Sequence, residues 1–360
     1  MRNNTYSALG IALLATLTAC GGGGGGGGGS GGFPIAPIAV TPSTPPPAAN
    51  PDPVPQDPVL PALSLDFELL TNEFDPVKLL AALNAEGGKG FRWVTSPNFK
   101  TDARHVLSKD TKATDKYIYE FLGVGLSQDD YLTQINASGA RGFRLLKDGA
   151  VVRNSAVSAW YSYTLETSLR RNNSNTDPNN DPVSLDGFLA QLNAKGAQGN
   201  RYVGQVHFAP LPDGRFNIQS VYENAGNGAF QYEMLPRAGK DADFIAQLNA
   251  QGARGYRFNF MASLRNGEGK AFYVKDKAQA PKFTYWIVDR PADASAFLAQ
   301  LKDNASRGKA FFIDNYGSGT DSVTGPGTWE TAPKIIYSAS AQCQGVLCGD
   351  LYAFSIMSTY

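Results

Sequence analysis

The chain is 360 residues long and carries 32 basic against 32 acidic side chains, so its formal net charge is zero. No segment gathers lysine and arginine into a patch, which argues against nucleic acid as a partner. With two histidines, no His-Glu-x-x-His and no Gly-x-Ser-x-Gly, the common signatures of zinc and serine hydrolases are also missing.

Residues 1–19 hold one early charge, Arg2, and then an apolar run over residues 8–19. That run is too short and too rich in small residues to span a bilayer, and it has the pattern of a signal peptide. It ends in Leu17-Thr18-Ala19-Cys20, which resembles the lipobox of bacterial lipoproteins. The resemblance implies cleavage before Cys20, a diacylglycerol on its thiol and a further acyl chain on the freed amine, and two or more chains anchor stably. Gly21 rather than Asp follows the cysteine. By the same resemblance to Gram-negative lipoproteins, this implies a lipid anchor in the outer membrane, with the protein facing the periplasm or the cell surface. Residues 20–62 then run through glycines to a proline-rich stretch. Neither composition can bury a core, so they form a tether with a flexible half and a stiffer half.

From residue 63 onward one phrase recurs five times: LLAALNAEGGKGFRW, YLTQINASGARGFRL, FLAQLNAKGAQGNRY, FIAQLNAQGARGYRF and FLAQLKDNASRGKAF, starting at Leu79, Tyr131, Phe188, Phe244 and Phe297. A fixed period of this kind sets the architecture before any local reading. Apolar pairs with a third member three residues on, such as Phe244, Ile245 and Leu248, predict one face of a helix in each copy. Asp75, Ser127, Ser184 and Asp293 stand as N-caps, with Lys240 at the same place in the fourth copy. Gly87, Gly139, Gly196 and Gly252 are expected to end the helices in the left-handed conformation. A second glycine, at 90, 142, 199, 255 and 308, opens an aromatic strand in all five copies. Strands with alternating apolar residues precede the helices at Leu65/Phe67/Leu69, Tyr117/Tyr119/Phe121, Tyr161/Tyr163/Leu165, Phe230/Tyr232/Met234 and Phe283/Tyr285/Ile287. A sixth such strand, Tyr352/Phe354/Ile356, closes the chain without a helix after it. Further strands fit at 105–109, 216–222 and 335–339. The expected fold is therefore α+β, with five tandem β-α-β-β repeats packed into one compact domain over residues 63–360. The units span about 65–116, 117–160, 161–229, 230–282 and 283–340, followed by a closing strand in 351–360.

The run Leu248-Asn249-Ala250-Gln251-Gly252-Ala253-Arg254-Gly255-Tyr256-Arg257-Phe258 resembles the L-N-x-L-G-x-E-G-W-E-L-V signature of a family of small bacterial domains of unknown function. Copies one to three match in the same way, whereas copy five lacks the Asn and the first Gly. The resemblance implies a compact α/β unit and no chemistry. Five such units also resemble, in topology alone, the pentein α/β propeller, so a row and a pseudo-symmetric, propeller-like ring are both open at this point. Penteins use a late Cys and a mid-chain His. Here His207 precedes Cys343 and Cys348, but AQCQGVLCGD does not resemble a pentein nucleophile motif.

Where the family has Glu after the aromatic, this chain has Arg92, Arg144, Arg201 and Arg257. If Glu68, Glu120 and Glu233 face them, a ladder of ion pairs results; the alternative is an anion-binding surface for a glycan or carboxylate. Cys343 and Cys348, five apart in an exported chain, are expected to form a local disulfide, with a reactive thiol or a metal pair as the other reading. Asp177, Asn179 and Asp181 alternate as in calcium loops but lack the sixth-place Gly and the final Glu, so a solvated loop is expected there. No cofactor is implied. The functional expectation is a membrane-anchored, non-catalytic binding or scaffold module with an envelope protein or glycan as partner. The alternative is an exported hydrolase with a site between units near Asp314 and Asp321.

Overall fold

A computed structural model describes residues 60–73, 75–99, 103–123, 125–146, 149–156, 158–168, 185–211, 217–224, 226, 228–263, 269–316 and 334–341, all within a compact body that begins at residue 57. The expected closing strand in 351–360 lies outside the described residues, as does Ser184.

The order strand, helix, strand, strand occurs five times. The first unit comprises β1 (Leu65–Thr71), α1 (Pro76–Gly88), β2 (Arg92–Thr95) and β3 (Arg104–Asp110). The second comprises β4 (Tyr117–Phe121), α2 (Gln128–Ala140), β5 (Arg144–Leu145) and β6 (Ala150–Asn154). The third has β7 (Ser162–Thr167), α3 (Leu185–Ala197), β8 (Asn200–Phe208) and β9 (Asn217–Asn224). The fourth has β10 (Phe230–Pro236), α4 (Asp241–Ala253), β11 (Arg257–Ser263) and β12 (Gly269–Asp276). The fifth has β13 (Lys282–Asp289), α5 (Ala294–Ser306), β14 (Ala310–Tyr316) and β15 (Lys334–Ala341). Each unit forms one three-stranded sheet in which the last strand lies between the other two and runs antiparallel to both. The helix therefore links two parallel outer strands, as a crossover must.

Local signals place the helices. Asp75 accepts from the backbone N–H of Val77 and Lys78, Ser127 from Asp130 and Asp293 from Ala296, while Lys240 gives no side-chain cap. The glycine expectation needs correction. Gly87, Gly139, Gly196 and Gly252 are buried residues inside their helices, and the left-handed position falls to the second glycine, as at Gly142 (φ 85°) and Gly255 (φ 86°). The first glycine serves close approach instead. A Cβ at Gly87, Gly139, Gly196 or Gly252 would stand 2.2, 2.1, 2.4 or 2.1 Å from the carbonyl oxygen of Tyr117, Tyr161, Phe230 or Phe283, each at the start of the following unit.

Helices thus pack on the next unit rather than on their own first strand. α1 lies on β4, α2 on β7, α3 on β10, α4 on β13, and α5 on β1. Five apolar clusters follow the same rule. Leu83, Phe91 and Trp93 of the first unit pack with Tyr119, Ala150 and Val152 of the second. Ile135, Phe143 and Leu145 meet Tyr163 and Val221. Phe188, Leu192 and Tyr202 meet Tyr232, Phe272 and Val274. Phe244, Leu248 and Phe258 meet Phe283, Tyr285 and Ile336, and Phe297, Leu301 and Phe311 meet Phe67 and Val106. Each central strand is buried on both faces. Phe272 and Tyr273, neighbours on β12, enter different clusters, which is why these strands read as continuous apolar runs.

Four of the five junctions carry the same clamp. The side-chain amide of Asn84 donates to Tyr119 O (3.1 Å) and accepts from Tyr119 N (2.8 Å). Asn136 does the same with Tyr163, Asn193 with Tyr232 and Asn249 with Tyr285. The phenol of each of these tyrosines then accepts a backbone N–H from the preceding unit: Trp93 (2.8 Å), Leu145 (2.9 Å), Tyr202 (2.8 Å) or Phe258 (3.0 Å). The junction of α5 with β1 differs at every one of these places. Lys302 replaces the Asn, Phe67 the Tyr, and Ala305 the helical Gly. Lys302 instead pairs with Asp66 at 2.9 Å, with both side chains about half exposed.

Candidate functional site

Strand register places one residue of each outer strand opposite the same central residue. The rows are Phe67–Ser108–Arg92, Tyr119–Val152–Arg144, Tyr163–Glu223–Arg201, Tyr232–Val274–Arg257 and Tyr285–Ser338–Ala310. Every expected arginine therefore occupies an equivalent place, and Glu223 is the acid among the five central residues.

Glu223 is 1% exposed and lies between two guanidiniums. Arg144 reaches across from the second unit and donates Nε (2.8 Å) and Nη2 (2.7 Å) to its two oxygens. Arg201 donates Nη2 to Oε1 at 3.1 Å, and the Tyr163 hydroxyl donates to Oε2 at 3.3 Å. A bidentate contact of this kind fixes orientation as well as charge. Burial, and next the Glu223 charge, push the Tyr163 phenol well above its ordinary pKa, so it stays a neutral donor. The Arg144 guanidinium also stands 5.5 Å from the Tyr161 ring centre.

The other arginines of the row also point inward. Arg257 is 4% exposed and its guanidinium lies 4.8 Å from the Phe312 ring centre. Arg92 is half-buried. The expected ladder with Glu68, Glu120 and Glu233 does not form. Glu120 instead takes both arms of Arg141 (2.8 and 2.5 Å), and Glu233 both arms of Arg254 (2.6 and 2.6 Å). Those cations sit in the turn after each helix, three residues before the row arginine, and their side chains are more than half exposed. Burial pushes the Glu233 carboxyl up, but the hydrogen bonds from Arg254, Tyr256 and Gln251 and the Arg254 charge together outweigh it and hold the group below its ordinary value. Glu68 has Glu86 as its neighbour, and burial together with that second acid raises its pKa.

His105 on β3 is buried, with Nδ1 2.8 Å from Ser96 Oγ and the Trp93 ring edge-on at 5.2 Å between centres. His207 lies on β8, where partial burial lowers its pKa. The two histidines belong to different sheets. Cys20, Cys343, Cys348, Asp177, Asn179, Asp181 and Asp321 fall outside the described residues, and Asp314 is placed on β14 by its backbone. Among the described residues, no three His, Cys, Asp or Glu side chains gather in a metal-binding group, and no helix is long and apolar enough to cross a membrane.

Two features escape a reading of the sequence by periodicity. Glu223 stands in a strand run of mixed residues, NIQSVYEN, and nothing local distinguishes it from a solvent-facing acid. The Asn–Tyr clamp leaves a signal, because Asn in the helix phrase and Tyr in the following strand occur at the same four junctions and fail together at the fifth. Comparison with protein-family models, with curated proteins and with solved structures gives no match to this chain.

Proposed function

We propose that this chain is a lipid-anchored envelope protein whose folded part is a closed, pseudo-symmetric ring of five units, acting as a non-catalytic binding or scaffold module. The observation that carries the ring is the packing of α5 on β1, which supplies the fifth cluster in the pattern of the other four. The anchor rests on Leu17-Thr18-Ala19-Cys20 and the glycine- and proline-rich tether behind it. The scaffold role is supported by how the polar side chains are used. Arg144, Arg201 and Tyr163 converge on Glu223, and the Asn and Tyr repeated at four junctions are engaged by backbone groups of neighbouring units. These groups set register between units, which leaves the loops that differ from unit to unit as the face for an envelope protein or glycan.

The test is made in a Gram-negative host. Radiolabelled palmitate should enter the full chain and fractionate with the outer membrane, and Cys20→Ser should abolish both label and membrane retention. The soluble Cys20→Ser chain, incubated with envelope glycans and peptides, should leave them chemically intact. Turnover of any of them at a steady rate would replace the scaffold reading with the hydrolase.

A further inference from the structure

The turn after each helix lies against the segment that leads into the next unit. A Cβ at Gly90, Gly142, Gly199 or Gly255 would stand 2.8, 2.9, 3.1 or 3.1 Å from the carbonyl oxygen of Asp115, Ala159, Gly228 or Pro281. At Gly308 the nearest atoms are the Leu60 Cβ at 2.5 Å and the Pro61 carbonyl oxygen at 2.6 Å. The leader that starts at Cys20 therefore joins the folded body at one particular end. That end also holds the C-termini of the helices and the linking segments 111–116, 155–161, 225–229 and 277–281.

Charge is divided between the two ends. The end with the helix N-termini carries Asp75, Asp129, Asp130, Asp241, Asp243 and Asp293. At the other end Lys89, Arg141, Arg254 and Arg307 stand in the turns, and each pairs with a nearby acid. Those pairs, and the favourable place of a cation beside a helix C-terminus, account for them without a ligand. Lys112, Lys116 and Lys277 are different: they are exposed, and among the described residues no carboxylate pairs with them. They also flank the entry point. The leader enters where α5 packs on β1, and the segments at the two adjoining junctions, 111–116 and 277–281, are the ones that carry lysine. Segments 155–161 and 225–229 carry no charge, but the first of them presents Trp160, which is 56% exposed. Ser64, Lys116, Ala229 and Lys282 hold the same place at the other junctions. A Cβ at Gly226 would stand 3.0 Å from the indole, so glycine backbone supports one edge of the ring and leaves the rest in water.

We infer that this end is a membrane-docking face, where Lys112, Lys116 and Lys277 meet the phosphates of anionic headgroups and Trp160 enters the headgroup layer. The inference rests on the lipid-anchor reading, because the leader ties this end, and not the acidic one, to the bilayer that holds the anchor. Anionic membrane surfaces attract exposed lysines at short range. An indole, with an apolar ring and a polar N–H, suits the boundary between tails and water. Docking turns a flexible attachment into a fixed orientation, with the acidic end facing away from the bilayer and open to a partner.

Vesicle flotation tests this, using the mature chain (residues 20–360) with Cys20→Ser so that no acyl chain contributes. It is expected to float with phosphatidylglycerol vesicles and not with phosphatidylcholine vesicles, and to be released as salt rises from about 0.05 to about 0.5 M. Changing Lys112, Lys116 and Lys277 together to Gln should weaken binding about a hundredfold, at roughly fivefold for each lysine near an anionic surface. Trp160→Ala should weaken it at least about fivefold, the return on ~40 Å² of apolar surface leaving water. Lys78→Gln with Lys240→Gln, at the acidic end, should leave it unchanged. No binding to phosphatidylglycerol, equal binding to both vesicle types, tighter binding to duplex DNA than to the vesicles, or a triple variant of unaltered affinity overturns the inference. Palmitate labelling reads the anchor without these vesicles, so failure of the docking face and failure of the anchor are told apart.

Discussion

Glu223 pairs with two guanidiniums in a largely buried site, so its loss is felt more than that of an exposed acid. Breaking one side of a buried ion pair costs about 3–5 kcal/mol, because the partner charge stays behind without compensation. Glu223→Ala is expected to lower the unfolding free energy in urea by that amount, and Glu120→Ala, whose pair with Arg141 is half-exposed, by less than about 1 kcal/mol. Two carboxylates predict opposite pH behaviour. Glu233 is held low by Arg254, so its stabilisation is present above the unfolded pKa and is lost as pH falls through the folded value. Glu68 is raised by burial and by Glu86, so the folded state favours its protonated form, and this turns into a penalty as pH rises through the folded value. Glu68→Gln should therefore raise the melting temperature at pH 7 and leave it unchanged at pH 3, read by calorimetry at both pH values.

At the level of helices and strands, the two glycines of the phrase show what periodicity can and cannot tell. Spacing alone marked Gly252 as a helix end, since a glycine after an apolar stripe has the form of a C-cap. Its φ is helical, and its use is contact with the Phe283 carbonyl of the next unit, a partner 31 residues away that no local pattern names. The stripes, three of the caps and the three strands per unit were readable because they depend on neighbours within one turn or one pleat. The junctions were not, because they depend on which unit lies against which. Gly252→Ala would gain up to about 1 kcal/mol of helix propensity. The added Cβ would meet backbone at 2.1 Å, so a net loss of about 1–3 kcal/mol is expected from overpacking, measured by urea unfolding. Asn249→Ala leaves the Tyr285 N–H and C=O at that junction without their side-chain partner and should cost about 1–3 kcal/mol in the same assay.

Considered as one body, the domain has no unit that holds a core of its own. Every cluster joins the helix and strands of one unit to the sheet of the next, and the fifth unites Phe297 and Leu301 with Phe67. An open row of repeats would lose one unit and keep the others, because such arrays are stabilised between neighbours. Here removal of the fifth unit uncovers two faces at once, the α4 side that β13 covers and the β1 side that α5 covers. A chain ending at Pro281 is therefore expected to show no cooperative thermal transition, whereas the full chain unfolds in a single step by circular dichroism. The strand, helix, strand, strand order of the described units could be inferred from five phrases in a line. The meeting of α5 with β1 could not, because it joins residues more than 200 positions apart with a pairing that departs from the phrase.

That meeting also dictates the order in which the chain can be completed during synthesis. A polypeptide emerging from its N-terminus presents Phe67 and Val106 first, while Phe297 and Leu301, their partners, come last. The first four clusters can assemble as each following strand appears, over short loops that close at little entropic cost. The fifth waits for nearly the whole chain, and contacts of such long separation are the slow ones in folding. Until α5 arrives, β1 and β3 carry a bare apolar face, and the newborn chain is most prone to misassociation there. Whatever guards the chain on its way to its final place has one particular surface to shield, and it is the earliest one made.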